Sequence, residues 1–415
     1  MTSQKFPAST IDLAHRHGAR YRWVILAIGV AAQASFAAAF SGLPVTGVLM
    51  RSAYQMTTEQ LGLVLGCMAL GVTLSEVIWG LLTDRFGDRK VLLIGLLSTA
   101  GALLALATLV VPSESKVPSY LLLGAGLVWV GILGGSVNSS SGRAIMGWFT
   151  DGKRGLAMSI RQTAIPAGGA IGAALLPWLA QRFGFQAVFG TLAGFCVLSA
   201  LATWFWLHEQ TLTDTPGATS ATVPNDPSPL YRLDVWRLAI ACGLLTAPQI
   251  AILTFGGVFL HDHKGAGLAL IASVIVTVQV TGSIARIVIG QRSDQGADRR
   301  TLVRRIGLLA AVATASLAFF ADTGIYWVAA LVCLSGLIAS AWHGVAYTEI
   351  AIMAGPTRAG TALGIIGMTI FASAFVTPVL IPFMLSASSW PATWGIIAFV
   401  TLLAVPISPR RISNN

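Results

Sequence analysis

Of the ionisable residues of this 415-residue chain that stand inside long apolar runs, Glu76, Arg161, Arg286 and His343 lie away from the cytoplasmic helix ends. A charge held at bilayer depth costs ~2.5 kcal/mol or more, so each is a functional candidate by default. A guanidinium offers a fork of N–H donors that fits a carboxylate. A carboxyl can carry a proton, and an imidazole exchanges one near neutral pH. Glu76 lies eight residues before Asp84, ~12 Å inward along a helix, and Arg286 lies eight residues before Asp294. Arg161 lies seven residues past Arg154, ~10 Å in, with Gln162 beside it. The set admits contact with a carboxylate at Arg161, beside Gln162, and proton coupling at Glu76 or His343. A structural role competes in each case: Arg161 as a fixed partner of Glu76 or of helix-end carbonyls, and His343 as packing beside Trp342.

The elements that must hold these residues follow from composition. The chain is 55% hydrophobic and 10% charged, far from the ~25% charged of soluble domains. Twelve apolar stretches recur, over about 23–49, 59–82, 90–111, 118–148, 155–180, 186–207, 237–260, 266–290, 302–321, 325–353, 360–385 and 392–408. Each approaches the ~20 residues needed to cross ~30 Å of hydrocarbon. With the N-terminus inside, 19 of the 26 Lys/Arg fall on the cytoplasmic side, four outside, and three (Arg143, Arg161, Arg286) in the membrane. This bias places both termini in the cytoplasm and explains the net charge of +10 without nucleic acid, for which no motif is present. The fold class is an all-α integral membrane protein of twelve transmembrane helices. The chain divides into an N-terminal tail (1–22), a six-helix bundle (23–207), a flexible linker (208–236) rich in Thr, Pro and Ser, a second bundle (237–408) and a C-terminal tail (409–415). The four cysteines all fall in apolar runs and read as core residues.

The two bundles are copies. Gly80 and Gly290, Asp84 and Asp294, Asp88 and Asp298, and Arg89 and Arg299 each lie 210 apart (290 − 80 = 294 − 84 = 210). Glu76 and Arg286 share that spacing (286 − 76 = 210). In a pseudo-twofold bundle the second and eighth helices approach across a central cavity, so Glu76 is expected to pair with Arg286, or with Arg161, when no ligand is bound. Gln33 and Ser41 on the first run, and Gln249 and Thr254 on the seventh, are candidates to complete the cavity. Arg143 and Glu349 lie near cytoplasmic helix ends and read as structural. Phe36, Trp79 and Trp342 read as packing.

The loop Gly80-x-x-x-Asp84-Arg85-x-Gly87-x-Arg89-Lys90 resembles the signature loop of the major facilitator superfamily. Its copy departs from it at Gln295 and Ala297. The resemblance covers the whole chain. It implies two pseudo-symmetric six-helix bundles that rock about a central site in the inner (plasma) membrane, a monomer, and a small-molecule substrate moved through the bilayer. It also implies a conformational lock at Gly80, Asp84, Arg85, Gly87, Arg89, Asp294 and Arg299. The position of Arg286 resembles that of the substrate arginine in monocarboxylate transporters, oxalate/formate exchangers and nitrate/nitrite porters. Nitrate porters carry an arginine where this chain has Glu76, which argues against nitrate. The helix 1 signature of eukaryotic monocarboxylate transporters is absent. Drug/proton antiporters carry a Gly-Pro order in the fifth helix that is missing here, although Gly168, Gly169 and Gly172 remain. The expected activity is alternating-access transport of a small organic anion, a carboxylate, with protons. The alternative is a proton-coupled exporter of drugs or amphipathic metabolites, with Glu76 attracting a cation. No nucleotide-binding loop and no Cys/His cluster is present, so no cofactor and no metal is expected, and the chain does not read as an enzyme.

Overall fold

The computed structural model describes residues 20–113, 116–149, 152–208 and 227–410. Among these every regular element is helical. α1 (Tyr21–Phe40) passes through a short 3-10 turn into α2 (Gly47–Ala53). α3 (Thr58–Phe86) opens on a capping box, in which the Thr57 hydroxyl accepts from the Gln60 amide and the Gln60 side chain from that of Thr57. It ends at Gly87, whose φ of 91° suits glycine and lets α4 (Asp88–Leu109) begin at once. α5 (Tyr120–Gly134) and α6 (Ser136–Trp148) are one run broken at Gly135. α7 (Arg154–Gln162) and α8 (Ala164–Trp206) join at Thr163. The second half comprises α9 (Leu233–Lys264), α10 (Leu268–Ser293), α11 (Arg299–Phe319), α12 (Ile325–Ser340), α13 (His343–Ala354), α14 (Ala359–Ala387) and α15 (Trp390–Ile407).

Eleven helical runs among the described residues are long and apolar enough to cross a membrane. Twelve spans are expected from the sequence. The fifth and sixth are continuous in Arg154–Trp206, 53 residues where ~20 suffice. Two helices meet inside that run at Gly184, where φ 72° and ψ −176° leave the helical region. Most of the expected linker (209–226), residues 1–19 and residues 411–415 lie outside the described residues.

Helix pairs that join the halves among the described residues include α3 with α14, α7 with α10, α7 with α13, α6 with α14 and, more weakly, α6 with α13. Glycine meets glycine at two of these crossings. A Cβ on Gly80 would run into the Gly360 carbonyl, and one on Gly290 would lie 2.6 Å from the Gly155 carbonyl. The repeat relates the two contacts, since 80 + 210 = 290 and 155 + 205 = 360. Backbones approach this closely only where side chains are small. The arrangement corrects one expectation. The second span (α3) faces the eleventh (α14), and the eighth (α10) faces the fifth (α7), so Glu76 and Arg286 do not meet across a cavity. Spacing along a helix defines which face is polar, but not which neighbour that face meets.

Candidate functional site

Two carboxylates close the face of the bundle that carries the repeated loops. Asp84 Oδ1 accepts from the Gly360 amide (2.8 Å), and Oδ2 accepts from the Thr361 amide (2.7 Å) and hydroxyl (2.6 Å). Asp294 accepts from the amides of Gly155 (2.8 Å) and Leu156 (2.9 Å). Each caps the first turn of a helix in the other half, where amides lack intrahelical partners and the helix dipole is positive. Of the residues expected to form the lock, Asp84 and Asp294 bridge the two halves. Arg143 Nη1 donates to Asp88 (2.8 Å), and Nε lies 3.3 Å from Asp84. Arg300 donates to Glu349 (2.7 Å) in the other half. Arg299 lies 3.2 Å from Asp294. Arg89 donates to the Trp204 carbonyl (2.6 Å) in its own half, and exposed Arg85 lies over the Phe86 ring. The copy's positive φ falls on Gly296, one residue before the position equivalent to Gly87.

Deeper in the bundle, Arg161 is fully buried and bound to its own half. Nε donates to Ser141 Oγ (3.0 Å). Nη2 donates to Gln33 Oε1 (2.9 Å) and to Asn138 at the carbonyl (2.6 Å) and Oδ1 (3.0 Å). The break at Gly135 sends the polar stretch Asn138–Ser141 inward to provide these acceptors. Asn138 Nδ2 donates across the halves to Tyr347 Oη (3.3 Å).

Glu76 is also fully buried. It makes no ion pair with Arg286 or Arg161, and neither carboxyl oxygen has a well-formed hydrogen bond among the described residues. Arg161 is the cationic charge nearest to it, and the Asn138 amide lies beside it. The carboxyl rests against Gly367 of α14, where a Cβ would lie 2.6 Å from Glu76 Cδ and 2.7 Å from Asn138 Nδ2. The repeat applies here too. Arg286 meets residue 162 of α7 as Glu76 meets residue 367 of α14 (162 + 205 = 367; 76 + 210 = 286). Gly367→Ala tests this packing. Alanine in place of glycine gains ~1 kcal/mol of helix propensity, while overpacking a filled interface costs ~1–3 kcal/mol. The expected result is a lower Tm in detergent, whereas Gly101→Ala, where nothing lies within 4 Å, takes the propensity gain without the clash and should raise it.

One cavity of about 100 Å³ lies between the halves. Arg286, His343, Gln33, Gln249, Gln279 and Thr246 form its polar wall. Phe36, Phe40, Ile250, Leu253, Ile370 and Phe371 form much of its apolar wall. Arg286 is 3% exposed, with Nε donating to the Ser340 carbonyl (3.0 Å) and Nη1 to the Gln162 carbonyl (2.7 Å). Nη2 has no partner among the described residues. The break between α12 and α13 exposes the Ser340 carbonyl to Arg286 and to His343, whose Nδ1 lies 3.2 Å from it. His343 stacks on Trp342 with ring centroids 3.9 Å apart. Phe40 of α1 and Phe371 of α14 meet edge to face at 5.1 Å.

Of the residues expected at the site, Arg286, Gln33, Gln249, His343 and Ser41 line this cavity. Arg161 stands behind Gln33. Gln162 contributes its carbonyl, and its amide side chain is buried without a partner. Glu76 lies at the α3–α14 contact, and exposed Thr254 bonds back to its own helix. Sequence reasoning missed Gln279, Thr246, Asn138 and Tyr347, and it took Phe36 for packing alone. Gln279 was findable, since it lies seven residues before Arg286 and so on the same helix face.

The chain matches the family model of the Major Facilitator Superfamily over residues 29–375. It is 32% identical to an uncharacterized MFS-type transporter of Mycobacterium tuberculosis (strain ATCC 25618 / H37Rv) over 399 residues, 95% of this chain and 86% of that one. The human organic anion transporter MFSD10 superposes with a TM-score of 0.74 at 16% identity, covering 94% of this chain and 99% of the other. The proton:xylose symporter XylE gives the same TM-score at 15% identity, covering 94% and 96%. At such identities the likeness is one of fold.

Proposed function

The chain belongs to the major facilitator superfamily, and from that premise we propose that it is a secondary active transporter moving a small organic carboxylate across the inner (plasma) membrane. In this reading it works by alternating access, with protons, and with both termini in the cytoplasm. The observation that carries it is the charge of the cavity. Arg286 is the one side chain of fixed charge lining it among the described residues, and its Nη2 is free. A desolvated cation with two of its three nitrogens tied to backbone carbonyls is a pre-set anion receptor. With Asp84 and Asp294 both engaged, the cytoplasmic face is closed, and the state is outward-facing.

Glu76 serves as the proton site, away from the substrate. A carboxyl pressed between α3 and α14 with no hydrogen-bond partner is stable there only when neutral. Gln33, Arg161 and Asn138 connect the cavity to its surroundings. An anion arriving beside Gln33 draws on the field of Arg161, which otherwise favours ionised Glu76, so substrate and proton binding reinforce each other. Glu76→Gln is therefore expected to keep substrate binding and to lose uphill uptake driven by a pH gradient in proteoliposomes. Full gradient-driven accumulation by this variant would refute the coupling.

The aromatic lining favours one feature of the alternative reading, an exporter of drugs or amphipathic metabolites. The absence of an acid from the cavity wall counts against a cationic cargo. Stabilisation by lipophilic cations that survives Arg286→Ala would replace the anion reading with this one.

A further inference from the structure

The cavity wall is graded, and the gradient has a direction. On α1, Gln33 is followed on the same face by Phe36 and Phe40, and on α9, Thr246 and Gln249 are followed by Ile250 and Leu253. Both helices leave the latched face and run toward the opposite one. Polar groups therefore lie at depth, and apolar groups lie up to ~10 Å, or seven residues, further out. Gln279 and Ser41 are the polar exceptions at the outer end. Phe371 closes on Phe40 from the other half.

The deep end presents donors from both halves. Arg161 has only N–H groups to offer, so the Gln33 atom facing it at 2.9 Å must be the oxygen. That bond turns Gln33 Nε2, which has no partner among the described residues, to the cavity. Arg286 Nη2 presents the second donor from the other half. Arg161 is thus a positioning residue: it fixes the sense of the Gln33 amide without touching the ligand.

We propose that the cavity selects carboxylates with a single charge and an apolar, flat or branched body, the carboxylate bridging Gln33 Nε2 and Arg286 Nη2 and the body lying among Phe36, Phe40 and Phe371. This rests on the anion-carrier reading and narrows it. A hydroxylated sugar acid of equal charge would set several hydroxyls against Ile250, Leu253 and the rings, where no partner awaits them. A carboxylate with a second charge would have no second cation to meet.

The test is binding to the purified full-length protein, by thermal shift and calorimetry, of four probes: 3-phenylpropanoate, D-glucuronate, 3-phenylpropanamide and 3-phenylpropylammonium. The expected order puts 3-phenylpropanoate first, with glucuronate and the amide each at least about tenfold weaker, which is ~1.4 kcal/mol, and no binding of the ammonium. Phe371→Leu is expected to reduce the preference for 3-phenylpropanoate over glucuronate. Gln33→Glu leaves Arg161 partnered, so the fold survives, but it replaces the donor with a negative oxygen. All anion binding should then be lost, whereas Gln33→Met should retain a weakened preference. Glucuronate binding as tightly as 3-phenylpropanoate, with Arg286 still required, would overturn this proposal and leave the anion reading intact. Binding of the ammonium, or of the amide as tightly as the carboxylate, would overturn both. Undiminished anion binding by Gln33→Glu would overturn the bridging geometry.

Discussion

Arg286→Ala is expected to abolish transport and to weaken binding of a carboxylate ligand by about 30- to 4,000-fold. The range is the roughly 2–5 kcal/mol lost when one member of a desolvated, hydrogen-bonded charge contact is removed, at 1.4 kcal/mol per decade. The expected loss is large because the wall contains no other fixed cation and Arg161 is committed to Gln33, Ser141 and Asn138. Stability should fall as well. Arg286 satisfies the Gln162 carbonyl and shares that of Ser340 with His343, and an orphaned buried carbonyl costs ~1–3 kcal/mol. Arg286→Lys separates the two effects. It retains the charge but cannot hold both carbonyls and keep a free donor, so an intermediate loss of affinity is expected. Calorimetry with 3-phenylpropanoate measures both variants. An Arg286→Ala protein that binds the carboxylate like the wild type would exclude this residue from the site.

The second large effect is expected at the latches. Asp84→Ala removes three bonds to the first turn of α14, and Asp294→Ala removes two to that of α7. A hydrogen bond to a charged group contributes ~1.5–3 kcal/mol, and such contributions do not add fully. A loss of ~3 kcal/mol from the closed state alone moves the balance between states by about a hundredfold. Hydrogen exchange reads this directly. Each single variant should deprotect its own pair of amides, at 360 and 361 or at 155 and 156. The double variant should also expose the segments around Gly80 and Gly290, where the halves cross. Exchange that rises only at the capped amides, with the crossings still protected, would reduce the two carboxylates to local caps.

These residues also show where the sequence was informative. The 210-residue echo was legible because loops between membrane helices cannot be apolar, so Asp84 and Asp294 stand out against their surroundings. The equivalence of Glu76 with Arg286 was legible for the same reason, and the structure keeps it in an altered form: each packs on the helix that the repeat assigns to it. The neighbours themselves were not legible. A charge on an otherwise apolar helix marks a polar face, but helix rotation decides whether that face meets a cavity, as for Arg286, or a glycine, as for Glu76. The join between the fifth and sixth spans was legible, since Gln181 and Arg182 separate the runs 155–180 and 186–207, but that a single glycine, Gly184, makes the turn was not. The orientation of Gln33 escaped because it depends on Arg161, 128 residues away in the chain.

Each latch sets one carboxylate against peptide N–H groups, to which the Asp84 latch adds the Thr361 hydroxyl. Peptide groups are supplied by every residue except proline, so change at position 156 leaves the closure untouched as long as proline is avoided, whereas positions 155 and 360 must stay glycine where the backbones cross. Among descendants of this sequence, then, the two aspartates and the crossing glycines should hold while Leu156 changes freely. The closure survives because most of what the aspartates grip is not encoded in any side chain.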